Sequence, residues 1–159
     1  MTTDVRRTLL LLRKDHQVLL AMKKRGFGAG RWNGVGGKLE PGESIEQALV
    51  RECQEEINVT PTRYRKVAEL DFYGGSTEEA WNMFVYAYVC DEWQGEPTET
   101  EEMAPKWYDI SDIPYADMWQ DDEHWLPLAL NGKKVTGTFT FDEQDNLTSQ
   151  DVQEVESLS

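Results

Sequence analysis

Cysteine, histidine and positive charge are all scarce in these 159 residues, with two Cys, two His and 16 Lys+Arg against 30 Asp+Glu. Cys53 and Cys90 have neither a Cys-x-x-Cys nor a Cys/His neighbour pattern, which argues against thiol-ligated zinc and fits a reducing compartment. No window approaches the roughly 20 apolar residues that cross a bilayer. The first apolar run, Leu9 to Leu12, is too short for a signal-peptide core, and no small-residue cleavage site follows. The expected setting is therefore cytoplasmic. A net charge of -14 argues against a nucleic-acid polymer as partner, because neutralising phosphates dominates such affinity.

The little positive charge present is unevenly placed. Residues 1–66 carry 13 Lys+Arg against 8 Asp+Glu, and the remainder 3 against 22. Lys23, Lys24, Arg25, Arg31 and Lys38 stand in the basic part, where they would steer a small polyanion or simply face solvent. A hydrophobic fraction of 39% and 29% charged residues suit a soluble globular protein that buries its core without staples.

Leu9 to Leu12 and Val18 to Met22, separated by Lys14-Asp15-His16, read as a hairpin. A Gly-rich loop follows over residues 25–31. Ser44 with Gln47 three residues on makes a capping box, which starts a helix running to about Ile57, with Asn58 suited to its left-handed cap. Strands are expected over Val67–Phe72, Met83–Cys90 and Lys106–Ile110. A second helix is expected over Trp119–Asn131, interrupted or started by Pro127. From Val135 to Phe141 apolar residues and glycine alternate with threonine at period 2, a strand signature. The order of elements implies an α/β or α+β domain over residues 1–141 with a mixed sheet. Residues 142–159 hold six acidic and no basic residues and read as an acidic tail, a short helix or disordered.

The first helix carries the chemical signal. Ile45 and Leu49 begin an apolar stripe whose continuation falls on Glu52 and Glu56, with Glu55 on the adjoining face. Carboxylates at i, i+4 repel, and partial burial would force protons onto them. A hard divalent cation such as Mg2+ resolves the conflict with oxygen ligands. A bare Glu-x-x-Glu-Glu could equally be a solvated acidic face, so its surroundings decide. Five residues separate Gly37 from Glu43, and seven separate Glu43 from Arg51-Glu52; then follow Cys53, Gln54, Glu55, Glu56, Ile57, Asn58 and Val59.

That arrangement resembles the Nudix box, Gly-x5-Glu-x7-Arg-Glu-U-x-Glu-Glu-x-Gly-U, and departs from it only at Asn58, where the box has Gly. The resemblance implies the Nudix fold, a mixed β-sheet sandwiched between helices, with the box as a loop–helix–loop. It implies hydrolysis of a nucleoside diphosphate linked to another group. Glu52, Glu55 and Glu56, helped by the Gly37 carbonyl, would hold Mg2+ or Mn2+. Arg51 and Glu43 would orient the glutamates, Glu52 would serve as base, and Glu102 would add a metal contact. Cys53 would be a small hydrophobe.

A second set of segments resembles the oxidised-purine branch of the same family, the 8-oxo-dGTP diphosphatases. These are Met22 to Gly34, Met118-Trp119-Gln120-Asp121-Asp122, and Trp125-x-Pro127-Leu128. The likeness implies that Asn33, Asp121 and Asp122 read the purine edge and that Trp119 stacks on the base. Phe27, Phe72 and Met83 would complete an apolar slot, and Thr8 and Lys23 would line it. The implied reaction converts oxidised purine nucleoside triphosphates, such as 8-oxo-dGTP and 2-oxo-dATP, to the monophosphate and pyrophosphate. It would sanitise the nucleotide pool, performed by a monomer acting on a small-molecule nucleotide. Two alternatives stay open: another purine nucleotide (an unmodified or methylated triphosphate, or a dinucleotide polyphosphate), and a nucleotide-binding module without catalysis. Gln120, where vertebrate relatives commonly have proline, and the segment from Tyr73 to Asn82 depart from the pattern.

Overall fold

The computed structural model describes residues 3–26, 28–75 and 81–158. Among them eight strands and two α-helices form a mixed sheet with a helix on each face. The central strand β1 (Thr3–Lys14) pairs parallel with β5 (Trp81–Gln94). β5 in turn pairs antiparallel with β4 (Thr60–Gly74), and β4 parallel with β7 (Lys134–Phe141). β2 (Gln17–Lys23) leaves β1 through a tight turn at Asp15, whose φ is 55°. It then pairs antiparallel with β6 (Met103–Asp109) and with the short β3 (Trp32–Asn33). The expected hairpin is therefore brief. β1 and β2 pair only at Arg13–Val18 and Lys14–Gln17, because β1 has β5 as its main partner.

β1 is continuously apolar from Leu9 to Leu12 because both faces of the strand are covered there. Leu10 and Leu12 pack with Leu49, Cys53 and Ile57 of α1 (Ile45–Ile57). Leu11 packs on the other face with Trp125, Leu126 and Ala129 of α2 (Asp122–Leu130). No helix of the described residues is long and apolar enough to cross a membrane.

α1 starts as its capping box dictates. Ser44 Oγ accepts from the Gln47 N–H at 3.1 Å, and Gln47 Oε1 accepts from the Ser44 N–H at 2.9 Å. It ends on Asn58 at φ 61°, so asparagine supplies the left-handed cap that glycine would otherwise provide.

Two expectations are corrected. Pro127 neither starts nor interrupts α2, which runs through it. The carbonyl left without its N–H partner belongs to Glu123, and both residues are exposed, so water can satisfy it. The acidic tail is neither helix nor coil: Leu147–Val155 form β8, paired antiparallel along β7. Its carboxylates face solvent from an edge strand, while the ladder to β7 meets its backbone needs. In β7, Val135, Gly137, Phe139 and Phe141 are buried, as the period-2 pattern requires.

Candidate active site

The box folds as a loop leading into α1. Its glycines let the chain pass against β1 without side chains in the way. A Cβ on Gly36 would lie 1.9 Å from the Thr8 carbonyl oxygen, and one on Gly37 would lie 2.7 Å from Glu52 Cδ. The Thr8 N–H donates to the Gly37 carbonyl at 2.9 Å, which fixes the loop to the strand.

Arg51 organises the acidic groups. Its Nε and Nη2 fork onto Glu43 at 2.7 and 2.9 Å, and Nη1 reaches Glu52 at 2.9 Å and Glu55 at 3.3 Å. The Arg51 hydrogen bonds hold the Glu43 carboxyl down to about 2, while Glu43, the largest influence, raises the Arg51 guanidinium. Glu56 lies on the buried side of α1, only 5% exposed, and accepts the Gly36 N–H at 2.9 Å. Burial, opposed by that hydrogen bond and reinforced by Glu52, pushes its carboxyl up to about 8. Cys53 is buried beside it and burial raises its thiol to about 12, so it behaves as the expected hydrophobe.

The predicted metal ligands are gathered only in part. Glu52 and Glu56 meet beside Gly37, whereas the exposed Glu55 turns to Arg51. Glu102 is held by Arg25 at 2.8 Å, and the same ion pair lowers its carboxyl. Among the described residues no three His, Cys, Asp or Glu side chains are arranged to hold an ion as they stand. The donor chemistry still fits one. Two abutting carboxylates, one buried, lie beside a backbone carbonyl with a lone pair to spare; they need a proton or a hard cation between them. The loop carrying Glu102 is tethered to this helix, since Thr100 Oγ1 donates to the Glu56 carbonyl at 2.7 Å.

A pocket opens next to the box between β1, β4, β5 and the start of α2. Thr8, Lys23, Asn33, Phe72, Met83, Trp119, Asp121 and Asp122 all line it, together with Gly36 and Gly37. Phe27 lies outside the described residues. Asn33 Oδ1 accepts from the Gly34 N–H at 2.8 Å, which orients the amide and leaves its NH2 to donate. Asp121 and Asp122 are 3% and 4% exposed. Asp121 Oδ2 accepts from Trp125 Nε1 at 2.9 Å, while Asp122 Oδ2 has no hydrogen-bond partner. Burial raises both carboxyls, Asp122 further because Asp121 is beside it. Such a pair can share one proton and so both donate and accept.

The basic cluster is largely engaged. Lys24 pairs with Glu99 and Arg25 with Glu102, and Arg31 lies over the Trp119 ring, 4.0 Å from its centroid. Trp119 thus has a guanidinium on its ring and the edge of Phe141 against it. Sequence reasoning missed Arg7, Leu9, Leu70, Val85 and Phe141, which also line the pocket. The signal for Arg7 was a cation two residues before Leu9 in an otherwise apolar alternation.

The NUDIX domain matches residues 2–129. The chain is 46% identical over 159 residues to the oxidized purine nucleoside triphosphate hydrolase of Mus musculus, covering 99% of this chain and 100% of that protein. It is 45% identical over 152 residues to the protein of the same name from Danio rerio, covering 95% and 96%. A solved MutT protein from Bacillus halodurans superimposes with a TM-score of 0.79 over 93% of this chain and 97% of that one; at 24% identity this likeness speaks to the fold alone.

Proposed function

Because the chain belongs to the Nudix hydrolase family, we propose that it hydrolyses oxidised purine nucleoside triphosphates, such as 8-oxo-dGTP and 2-oxo-dATP, to the monophosphate and pyrophosphate. One observation carries this reading. A buried aspartate pair and an oriented asparagine amide share a single pocket with Gly36 and Gly37 of the box. A base held by the first group would direct its phosphates toward the second.

Asn33 would donate to the purine edge, and Asp121 and Asp122 would meet the rest of that edge with their shared proton. Trp119 would stack on the base, and Phe72 and Met83 would close the slot. Stacking contributes about 1–3 kcal/mol without choosing a base. Choice falls to the polar groups, since leaving a buried donor or acceptor unpaired penalises the wrong edge. Oxidation alters the donor pattern of that edge, and a carboxyl pair carrying one proton can match more than one such pattern.

Members of this family use a divalent cation; here Glu52, Glu55, Glu56 and the Gly37 carbonyl would hold Mg2+ or Mn2+, which when bound neutralises phosphate charge and acidifies water. Glu52 would take the proton from the attacking water as one P–O bond forms and the bond to the departing pyrophosphate breaks. Arg51, forked on Glu43, would keep Glu52 and Glu55 in position. The reading extends to a monomer acting on free nucleotides in the cytoplasm.

Pyrophosphate release from 8-oxo-dGTP, 2-oxo-dATP and unmodified dGTP with Mg2+ tests the reading. At least about a tenfold advantage in kcat/KM for an oxidised substrate over dGTP is expected from the polar contacts. Equal turnover of all three would overturn it in favour of an unmodified purine nucleotide.

A further inference from the structure

Arg7 is a cation built into the inner wall of the site. It sits on β1 between residues that line the base pocket and the first residues of the box. Its neighbour Thr8 is bonded through its N–H to the Gly37 carbonyl at 2.9 Å, and Arg7 itself bridges to Lys38 across the strand-to-loop pairing. The residue is half-buried and lines the same pocket as Asn33 and Asp122. Burial lowers its pKa, and the charges of Glu52 and Glu56, near enough to act on the guanidinium, raise it.

A half-buried guanidinium is costly to desolvate and is retained where it meets anions. Here two carboxylates act on it, and those carboxylates are the ones implied to hold the cation. A nucleotide whose base lies by Asn33 and Asp122 must send its phosphates past Gly36 and Gly37, and therefore past Arg7. Planar forked donors suit a phosphate better than a point charge does.

We propose that Arg7 is a substrate-binding residue whose guanidinium takes the phosphate nearest the nucleoside as the chain of phosphates passes from the base pocket to the box. The assignment rests on the base pocket described above. Lys23, on the facing strand β2, lines the same pocket and supplies a second charge there.

The test is binding without metal, which separates phosphate recognition from catalysis. Affinities of 8-oxo-dGMP and of its nucleoside, 8-oxo-dG, are measured by titration calorimetry in EDTA for the native protein, Arg7→Met and Arg7→Lys. The native protein is expected to prefer the monophosphate. Arg7→Met should weaken 8-oxo-dGMP by about tenfold or more, the scale of one charge-assisted contact, and leave 8-oxo-dG unchanged. Arg7→Lys should fall between. Equal loss for both ligands would make Arg7 a structural residue, and no loss for either would make it a bystander; each result overturns the proposal. If Arg7→Met fails to fold, Arg7→Lys decides, since an unaltered preference for the monophosphate contradicts a forked contact. If the native protein binds neither ligand, the base pocket is misassigned and the Arg7 assignment falls with it, a failure distinct from loss of the phosphate preference alone.

Discussion

Gln120 and Leu147 are joined across the edge of the base pocket: the Leu147 N–H donates to Gln120 Oε1 at 2.8 Å, while Gln120 Nε2 donates to Asn146 Oδ1 at 3.1 Å. The side chain between Trp119 and Asp121 therefore clamps the turn that leads into β8. Asp142 Oδ1 closes that turn by accepting the N–H groups of Gln144 and Asn146, both at 2.9 Å. The C-terminal hairpin becomes a brace for the segment that carries the pocket's aromatic and acidic residues.

Gln120→Ala removes both bonds. The loss is expected to be about 1–2 kcal/mol, seen as a fall in Tm of a few degrees. KM for the purine nucleotide should rise several-fold while kcat stays close to native, because the wall of the pocket loosens and the box does not. Gln153→Ala, at an exposed position on β8 where the side chain donates to Asp151, is the control and should change neither value.

Arg51 should not tolerate lysine. Its five donors engage Glu43, Glu52, Glu55 and the Lys38 carbonyl at once, a geometry a single ammonium cannot reproduce. Arg51→Lys is expected to lower kcat by about 10–100-fold, the range for groups that orient metal ligands. Glu43→Gln should have a smaller effect of the same sign. Steady-state kinetics at saturating cation checks both; native turnover in Arg51→Lys would show that the fork is dispensable.

Glu56→Gln keeps the shape of the side chain and can still accept the Gly36 N–H. Removing a carboxylate from the pair with Glu52 should reduce pyrophosphate release at least about 100-fold. Nucleotide affinity in EDTA should remain, since the base pocket is formed by other residues. Full activity in this variant would mean that Glu52 and Glu56 do not form the cation site.

Much of this architecture was legible in the sequence, and the reasons are local. Ser44, Gln47 and Asn58 specify the ends of α1 through short-range hydrogen bonds and one dihedral. The box spacing places Arg51 and Glu52 side by side on α1, while Glu43, just before the cap, reaches Arg51 because the turn at Glu40–Glu43 aims it along the helix. The course of β8 was not legible, because its backbone partner, β7, is supplied by tertiary pairing and its side chains carry only solvent-facing polarity. Glu55 and Glu102 were read as ligands from spacing and resemblance, yet in the folded protein each carboxylate has a nearby arginine, a partner that periodicity along one helix cannot reveal. Arg7 was overlooked because, beside Arg6 at the start of a strand, it looks like surface until the box loop pairs with it.

The aspartate pair gives the pH dependence its sign. Both carboxyls are raised above the ordinary range, first by burial and then, for Asp122, by Asp121. The folded protein thus binds more protons than the unfolded chain as pH climbs above the usual aspartate pKa of about 4. Their contribution to stability is complete below that value and is lost as pH rises through the raised values. The groups facing them, Trp125 through its N–H and His124 through its charge, oppose the shift on Asp121, while Tyr115 and Glu123 stand close by. In Asp122→Asn one of the two coupled carboxyls no longer titrates, and its neighbour loses a competing negative charge. The metal-free variant should therefore show a shallower decline of Tm from pH 5 upward than the native protein does, as thermal melts in EDTA across that range would record. Parallel melting curves would mean that the two carboxyls titrate as they do in the unfolded chain, and the shared proton invoked for base recognition would then have no physical basis.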